Sequence, residues 1–494
     1  MIYRSTRGGA ESLTASQAVI KGISDNGGLF VPSEIPALKM DMKEISKMTY
    51  QQVAAMIIGS FFSDYSEEEI QQCVRSAYIP GSKFQLEEIV PLHHVDRCSF
   101  IELYHGPTAA FKDMALSILP YLLSTAVKKQ REEHKICILT ATSGDTGKAA
   151  LEGFADVPGT EIIVFFPEEG VSQVQRHQMV TQTGSNTEVF AIEGNFDDAQ
   201  TGVKKIFADQ DFAKKMEEAG YRFSSANSIN IGRLVPQVAY YVYSYAQLVA
   251  SGRIEEGEEI NITVPTGNFG NILAAYYAKQ MGLPVNRFIC ASNSNKVLTD
   301  FIRTGTYDIR REFHLTDSPS MDILISSNLE RLLYHLSGQD TEQVATYMKE
   351  LQEKKSYTVS DHIKEGLSSF YGGWADMDET AEAIRTLYRE KGYLVDTHTA
   401  VAYKVYDDYR RETGDNRITL IASTASPYKF AESVSSAIGL DREENGFRYI
   451  EALNRETGVA IPQGLKDLEK KPVLHKSVIS KEDMIEAVSK AVIK

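Results

Sequence analysis

Little in this sequence could build a disulfide framework or a metal centre. Cysteine occurs four times in 494 residues, at Cys73, Cys98, Cys137 and Cys290, with no CxxC and no paired spacing. Zinc sites need clustered ligands, and extracellular frameworks need denser cysteine, so buried reduced thiols are expected. The pair His93-His94 followed by Asp96 hints at a metal, but adjacent strand residues point to opposite faces. No stretch approaches the roughly 18 consecutive apolar residues of a membrane span. The opening MIYRSTRGGAESLTAS has no basic region followed by an apolar block, so no secretory signal is expected. No run of five or more basic residues occurs, and the formal net charge is −15. A nucleic-acid partner is therefore not expected, and the acidic balance suits a soluble cytoplasmic protein.

A length of 494 residues with 43% hydrophobic content is ample for two or three packed domains. The start is turn-rich at DNGGLFVPSEIP and then helical in period through MTYQQVAAMIIGSFF. From Ser99 the pattern changes to strand, glycine turn and helix. KICILTAT, EIIVFF, INITVP, RFICAS and RITLIAS are compact apolar runs, and helix-like segments separate them. Strand–helix–strand order implies parallel sheets. Between residues 301 and 394 the sequence is charged and helical in period, as an insertion between two strands. The expectation is an α/β protein with a mostly helical domain over 1–98 and a small α/β domain over 113–220. A large α/β domain would be formed from 99–112 and 221–494.

Five segments carry chemistry. In ELYHGPTAAFKDMALSILP, Lys112 precedes Asp113, a candidate N-cap or first-turn acid. Ala109, Ala110 and Phe111 favour a partly desolvated amine, and burial makes lysine a nucleophile towards aldehydes. From these residues alone a plain surface lysine is still the favoured reading. TATSGDTGKAA ends a strand in hydroxyls and glycines at a helix start, a seat for an anion such as a carboxylate. It is not a P-loop: Thr142 stands where the first glycine belongs and Ala149 where Ser or Thr belongs.

VPTGNFGNILAA places Gly267, Asn268, Phe269, Gly270 and Asn271 between a strand and a helix, a cradle for a phosphate or merely a tight turn. No acid suited to a ribose follows about twenty residues later, which argues against a dinucleotide. SSANSINIGR offers Asn227, Ser228 and Arg233 for a second anion, and STASPYKF is hydroxyl-rich after a strand. Both are also compatible with ordinary loops. Together, a reactive lysine and two anion seats fit a cofactor with one phosphate and one aldehyde, pyridoxal 5'-phosphate (PLP).

HGPTAAFKD, TSGDTG, SSANSINIGR, TGNFGN and DTHTAVAYK resemble, in order, the blocks of the threonine synthase family. So do SQAVIKGISDNGGLFVP and SPSMDILISSNLER. The resemblance spans nearly the whole chain and implies PLP fold type II, shared with tryptophan synthase β, in two three-layer α/β domains plus the helical N-terminal one. It implies an enzyme that turns O-phosphohomoserine and water into threonine and phosphate; the sequence leaves both a monomer and a homodimer open. By the same resemblance Lys112 holds the PLP aldehyde and shuttles protons. The backbone of Gly267 to Asn271 cups the PLP phosphate, Thr424 faces the pyridine nitrogen, and Asp145 lies near O3′. Ser143, Gly144 and Thr146 hold the substrate carboxylate, and Asn227, Ser228 and Arg233 its phosphate. The smaller domain is the candidate for closure over the site.

Overall fold

Ile260–Pro265 is buried at every position, as a strand must be when helices cover both faces of its sheet. In the computed structural model, which describes residues 1–493 apart from 143 and 170, this strand lies inside a six-stranded sheet. The order is Phe370–Trp374, Val285–Ser292, Ile260–Pro265, Thr419–Ser423, Cys98–Glu102 and Leu92–Val95. The first five run parallel and the last is antiparallel to its neighbour. Ile262 pairs with Phe288 on one side and Leu420 on the other.

A second sheet has five parallel strands in the order Val478–Ser480, Thr187–Glu193, Thr160–Pro167, Lys135–Ala141 and Tyr221–Ser224. The 20-residue helix Ile231–Ala250 is apolar on nearly all sides and almost wholly buried. It packs against Tyr50–Phe61 and Gly270–Gln280, joining the N-terminal helices to the larger sheet. A helix with no polar face belongs in a core.

Three features depart from the sequence reading of the chain's division. Phe370–Trp374 lies within the expected insertion at 301–394, yet it is an edge strand of the larger sheet, paired with Val285–Ser292. Its glycines answer to close packing: a Cβ on Gly372 would lie 2.9 Å from the Thr299 carbonyl oxygen and one on Gly373 2.5 Å from Val405. Tyr221–Ser224 and Val478–Ser480, expected in the larger unit, pair within the five-stranded sheet. Leu92–Val95, expected in the N-terminal unit, hydrogen-bonds into the six-stranded one.

Candidate active site

Lys112 stands where two distant loops meet. Ala110 bridges Ala425 in antiparallel fashion. The Phe111 N–H donates to the Thr424 carbonyl at 2.8 Å and the Ser426 N–H to the Ala109 carbonyl at 3.0 Å. Ala109 is left-handed, with φ 59°, a strained conformation for a residue bearing a Cβ. Asp113 is the first-turn acid of Asp113–Leu116 rather than its N-cap. Its carboxylate turns back to accept from the Thr108 N–H at 2.8 Å and the Thr108 hydroxyl at 2.7 Å. Burial raises the Asp113 pKa to about 6.

The Lys112 side chain is 12% exposed, and its Nζ lies 3.8 Å from Asp145 Oδ2. Its one hydrogen bond among the described residues goes to Ser320 Oγ at 3.1 Å. Burial lowers the Lys112 pKa; Asp145 opposes that fall, and the charges of Arg233 and Lys429 add to it. The amine is thus a desolvated group and not a surface lysine.

The loop from Gly267 to Asn271 closes on the segment around Ser320. A Cβ on Gly267 would sit 2.4 Å from the Ser320 carbonyl oxygen, so only glycine permits this approach. Phe269 is left-handed, with φ 64°, and turns the chain into Gly270–Gln280. The loop's carbonyls are occupied: Ser326 Oγ donates to Gly267 O at 2.7 Å, and the Asn328 N–H and side-chain amide donate to Asn268 O at 3.1 and 2.9 Å. What remains at the helix start is a set of N–H donors in the positive end of the helix field. Asn271 Oδ1 accepts from Tyr240 at 2.9 Å and from Tyr241, while its buried Nδ2 has no partner among the described residues.

At the other sheet, Thr142 Oγ1 accepts from the N–H groups of Gly144 and Gly147, both at 2.9 Å. That leaves the first-turn N–H groups of Asp145 and Thr146 as donors for an anion. Ser143 lies outside the described residues. Gly144 has φ 149° and a Cβ there would meet the Gln175 amide at 2.7 Å. Asp145 Oδ1 pairs with Lys429 Nζ at 2.8 Å and accepts from Gln175 Nε2 at 2.9 Å.

Arg233, in the first turn of Ile231–Ala250, is 3% exposed. Its Nη1 donates to the Ala226 carbonyl at 2.6 Å, and its Nε has no partner. Among the described residues it has no carboxylate partner, and burial pushes its pKa down to about 10. Ser228 Oγ lies 3.5 Å from Ser327 Oγ, which donates to Asn268 Oδ1 at 3.3 Å, linking this segment to the glycine loop. The half-buried Asn227 donates its N–H to Ser225 Oγ at 3.1 Å. Thr424 is 5% exposed, and its hydroxyl has no hydrogen-bond partner among the described residues.

Sequence reasoning missed three participants. Lys429 lies in STASPYKF, which the sequence marks only by its hydroxyls. Ser320 and His398 lie in SPSMDILISSNLER and DTHTAVAYK, whose spacing alone assigns them no role. Asp396 Oδ2 pairs with His398 Nδ1 at 2.9 Å, and His398 Nε2 accepts from the Ser320 N–H at 3.1 Å, so the Ser320 segment is pinned beside Lys112. Asp-Thr-His-Thr before a helix was the available signal: Asp396 N-caps Thr397–Thr413 through the N–H groups of His398 and Thr399. The histidine pair is elsewhere engaged. His93 stacks on Tyr393 with centroids 3.8 Å apart, and His94 Nδ1 meets Ser99 Oγ at 2.8 Å.

Comparison with known proteins identifies the family. The family described as threonine synthase N terminus matches residues 2–78, pyridoxal-phosphate dependent enzyme matches 85–424, and threonine synthase C-terminal matches 399–492. Threonine synthase-like 1 of Homo sapiens is 40% identical over 436 residues, 86% of this chain and 58% of that protein. The chain thus spans less than two thirds of that relative. Threonine synthase of Pseudomonas aeruginosa is 38% identical over 443 residues, 88% of this chain and 90% of that one. The PLP-bound threonine synthase structure from Brucella melitensis superposes with a TM-score of 0.87 at 34% identity, over 100% of this chain and 98% of that one. The two α/β units have PLP fold type II, and the chain belongs to the threonine synthase family of pyridoxal-phosphate-dependent enzymes.

Proposed function

We propose that this chain catalyses the conversion of O-phosphohomoserine and water into threonine and phosphate, with PLP as its cofactor. The observation that carries the substrate is Arg233: a buried guanidinium with no carboxylate partner among the described residues, close enough to depress the Lys112 pKa. A PLP lyase acting on a plain amino acid has no need of that cation. The residues present fit the cofactor. The loop at Gly267 admits no Cβ, the Lys112 amine is desolvated, and the Thr424 hydroxyl is neutral and unengaged. Lys112 would hold the aldehyde and the N–H groups of Gly267 to Asn271 the cofactor phosphate. Thr424 would meet the pyridine nitrogen and Asp145 the O3′ side.

PLP, when bound, supplies the conjugated system that accepts the electron pair left at Cα. The protein's part is positioning and proton transfer. The N–H groups of Asp145 and Thr146, with Ser143 and Gly144, orient the substrate carboxylate, and Asn227, Ser228 and Arg233 grip its phosphate. Lys112 Nζ takes the proton from Cα, gives it up again, and as a neutral amine takes a second from Cβ, whose loss expels phosphate from Cγ. A proton then returns to Cγ and water adds at Cβ, and the last proton transfer returns one to Cα. Loss of the phosphate must precede entry of water, which suits closure of the smaller unit over the site. Four free, buried thiols suit a cytosolic setting, where we place the chain as a monomer or homodimer.

The test is release of phosphate from O-phosphohomoserine with threonine identified as the co-product. Borohydride should fix PLP to Lys112; fixation to another lysine, or phosphate release without threonine, overturns the reading.

A further inference from the structure

Asp145 lies between two lysines, and it does not treat them alike. Its Oδ1 is 2.8 Å from Lys429 Nζ, while its Oδ2 is 3.8 Å from Lys112 Nζ, beyond hydrogen-bond reach. Lys429 projects from the short turn Pro427–Phe430, and its side chain is 0% exposed. Two glutamines of Gln173–Val180 complete the arrangement: Lys429 also donates to Gln178 Oε1 at 2.8 Å, and Gln175 Nε2 donates to Asp145 Oδ1 at 2.9 Å. The near lysine has two oriented acceptors, one of them charged. The far lysine has a single hydroxyl.

We propose that Lys429 is a tuning residue that engages the Asp145 carboxylate and thereby leaves Lys112 without a close counter-ion, so that Lys112 is available as a neutral amine. The role rests on Lys112 being the reactive amine of the proposed function. A charge count around the site supports it. Lys112 faces Asp145, Arg233, Lys429 and Asp113. Arg233 has no carboxylate of its own among the described residues, and Asp113, ionised above a pKa of about 6, is turned towards Thr108 and is the weakest of these charges at Lys112. The other cation near Lys429, Lys148, pairs with Glu152 at 2.8 Å. Burial lowers the Lys112 pKa, Asp145 pulls it back from 3.8 Å, and Arg233 and Lys429 oppose that pull; with Asp145 held by Lys429 at 2.8 Å, burial stays dominant and favours the neutral amine. Asp145 answers in the matching direction. Burial by itself raises its pKa, and the charge of Lys429 followed by that of Lys112 brings it well below the usual carboxylate range.

The test uses the full chain stripped of PLP with hydroxylamine, so that it reads the amine and not turnover. Limiting acetic anhydride is applied across a pH series, and acetylation of Lys112 is quantified by peptide mass spectrometry. Wild type should titrate below the ordinary lysine value of about 10.4. Lys429→Met releases Asp145 to Lys112, and the midpoint should rise by about one pH unit or more. Lys429→Arg, which keeps the cation, should restore it. Asp145→Asn should move the midpoint the opposite way, downwards, and this arm stands alone if the methionine variant does not fold. A merely structural Lys429 predicts no such opposed pair of shifts. A Lys429→Met midpoint equal to or below wild type overturns the proposal, as does an Asp145→Asn midpoint equal to or above it. Borohydride fixation at another lysine overturns the proposed function instead, and the two failures are distinguishable.

Discussion

The Phe111 N–H donates to the Thr424 carbonyl at 2.8 Å, so the backbone beside Lys112 is tied to a hydroxyl residue from the far end of the chain. The Thr424 N–H in turn donates to Thr399 Oγ1 at 3.3 Å, and Thr399 Oγ1 donates to Asp396. Asp396 also holds His398, whose Nε2 pins Ser320 against Lys112. One buried carboxylate therefore organises two walls of the site. A network with its members satisfied rigidifies what it surrounds.

Because the Thr424 hydroxyl is uncharged, it should bond the pyridine nitrogen without protonating it. Thr424→Ser keeps the hydroxyl and should change kcat less than about threefold, within roughly 0.7 kcal/mol. Thr424→Asp should favour a protonated ring and shift the cofactor's absorbance band and product ratio. An aspartate variant matching wild type in spectrum and products would remove Thr424 from the ring.

Gly267 and Gly270 look alike in sequence but differ in space. Gly267→Ala would push a methyl to 2.4 Å from the Ser320 carbonyl, a backbone atom that cannot rotate away. Gly270→Ala meets Asn328 Nδ2 at 3.5 Å, an ordinary contact. Overpacking of this kind costs roughly 1–3 kcal/mol. Titration of the cofactor-free protein with PLP should show at least about fivefold weaker binding for Gly267→Ala, with Gly270→Ala near wild type. Equal affinities would place the cofactor phosphate elsewhere.

How far the sequence reached can be argued from such residues. Ile260–Pro265 was legible because a strand covered on both faces has no polar face to hide its pattern. Thr187–Glu193 and Phe370–Trp374 were not: the first has exposed or half-exposed positions, and the second is short and glycine-rich for reasons of close packing. At the candidate site, the glycines of the Gly267 loop carry a local signal, whereas the residues around Lys112 alone favour a surface lysine and its proposed role comes from the resemblance of HGPTAAFKD. Lys429 gave no such sign, because burial of a lysine in SPYKF depends on Gln178 and Asp145, which only the tertiary fold brings to it. The three-residue strand Val478–Ser480 is too short for any period to show.

Asp113 makes stability depend on pH in a definite direction. Its folded pKa is about 6 against an ordinary 3.8, so the native state holds this proton more tightly than the unfolded chain. That contribution is present in full below about pH 4 and is lost as pH rises through about 6. Two units correspond to on the order of 3 kcal/mol. Asp113→Asn has no such titration, so urea denaturation at pH 4 and pH 7 should show wild type losing stability relative to the variant by that order. A difference between the two proteins that does not vary with pH would mean the carboxyl is ionised throughout.

The proposed grip of Arg233 on the substrate's phosphate can be tested directly. Its guanidinium is buried, donates to the Ala226 carbonyl, leaves Nε unpartnered and faces no carboxylate among the described residues. A planar fork in that state is preorganised for two parallel hydrogen bonds to phosphate oxygens. Removing one member of a desolvated charge pair typically costs about 2–5 kcal/mol. Arg233→Leu should therefore lower kcat/KM for O-phosphohomoserine by roughly 30- to 4,000-fold, at about 1.36 kcal/mol per decade. The loss should be specific. Since the cofactor phosphate is assigned to the loop from Gly267 to Asn271, the affinity for PLP should change little. Folding should survive, because no carboxylate is stranded by the change; the Ala226 carbonyl loses one donor, at about 1 kcal/mol. Steady-state kinetics, PLP titration and thermal denaturation of one variant separate the possibilities. Unfolding or loss of PLP alongside activity would make Arg233 structural, and an unchanged kcat/KM would mean that the substrate's phosphate is gripped elsewhere.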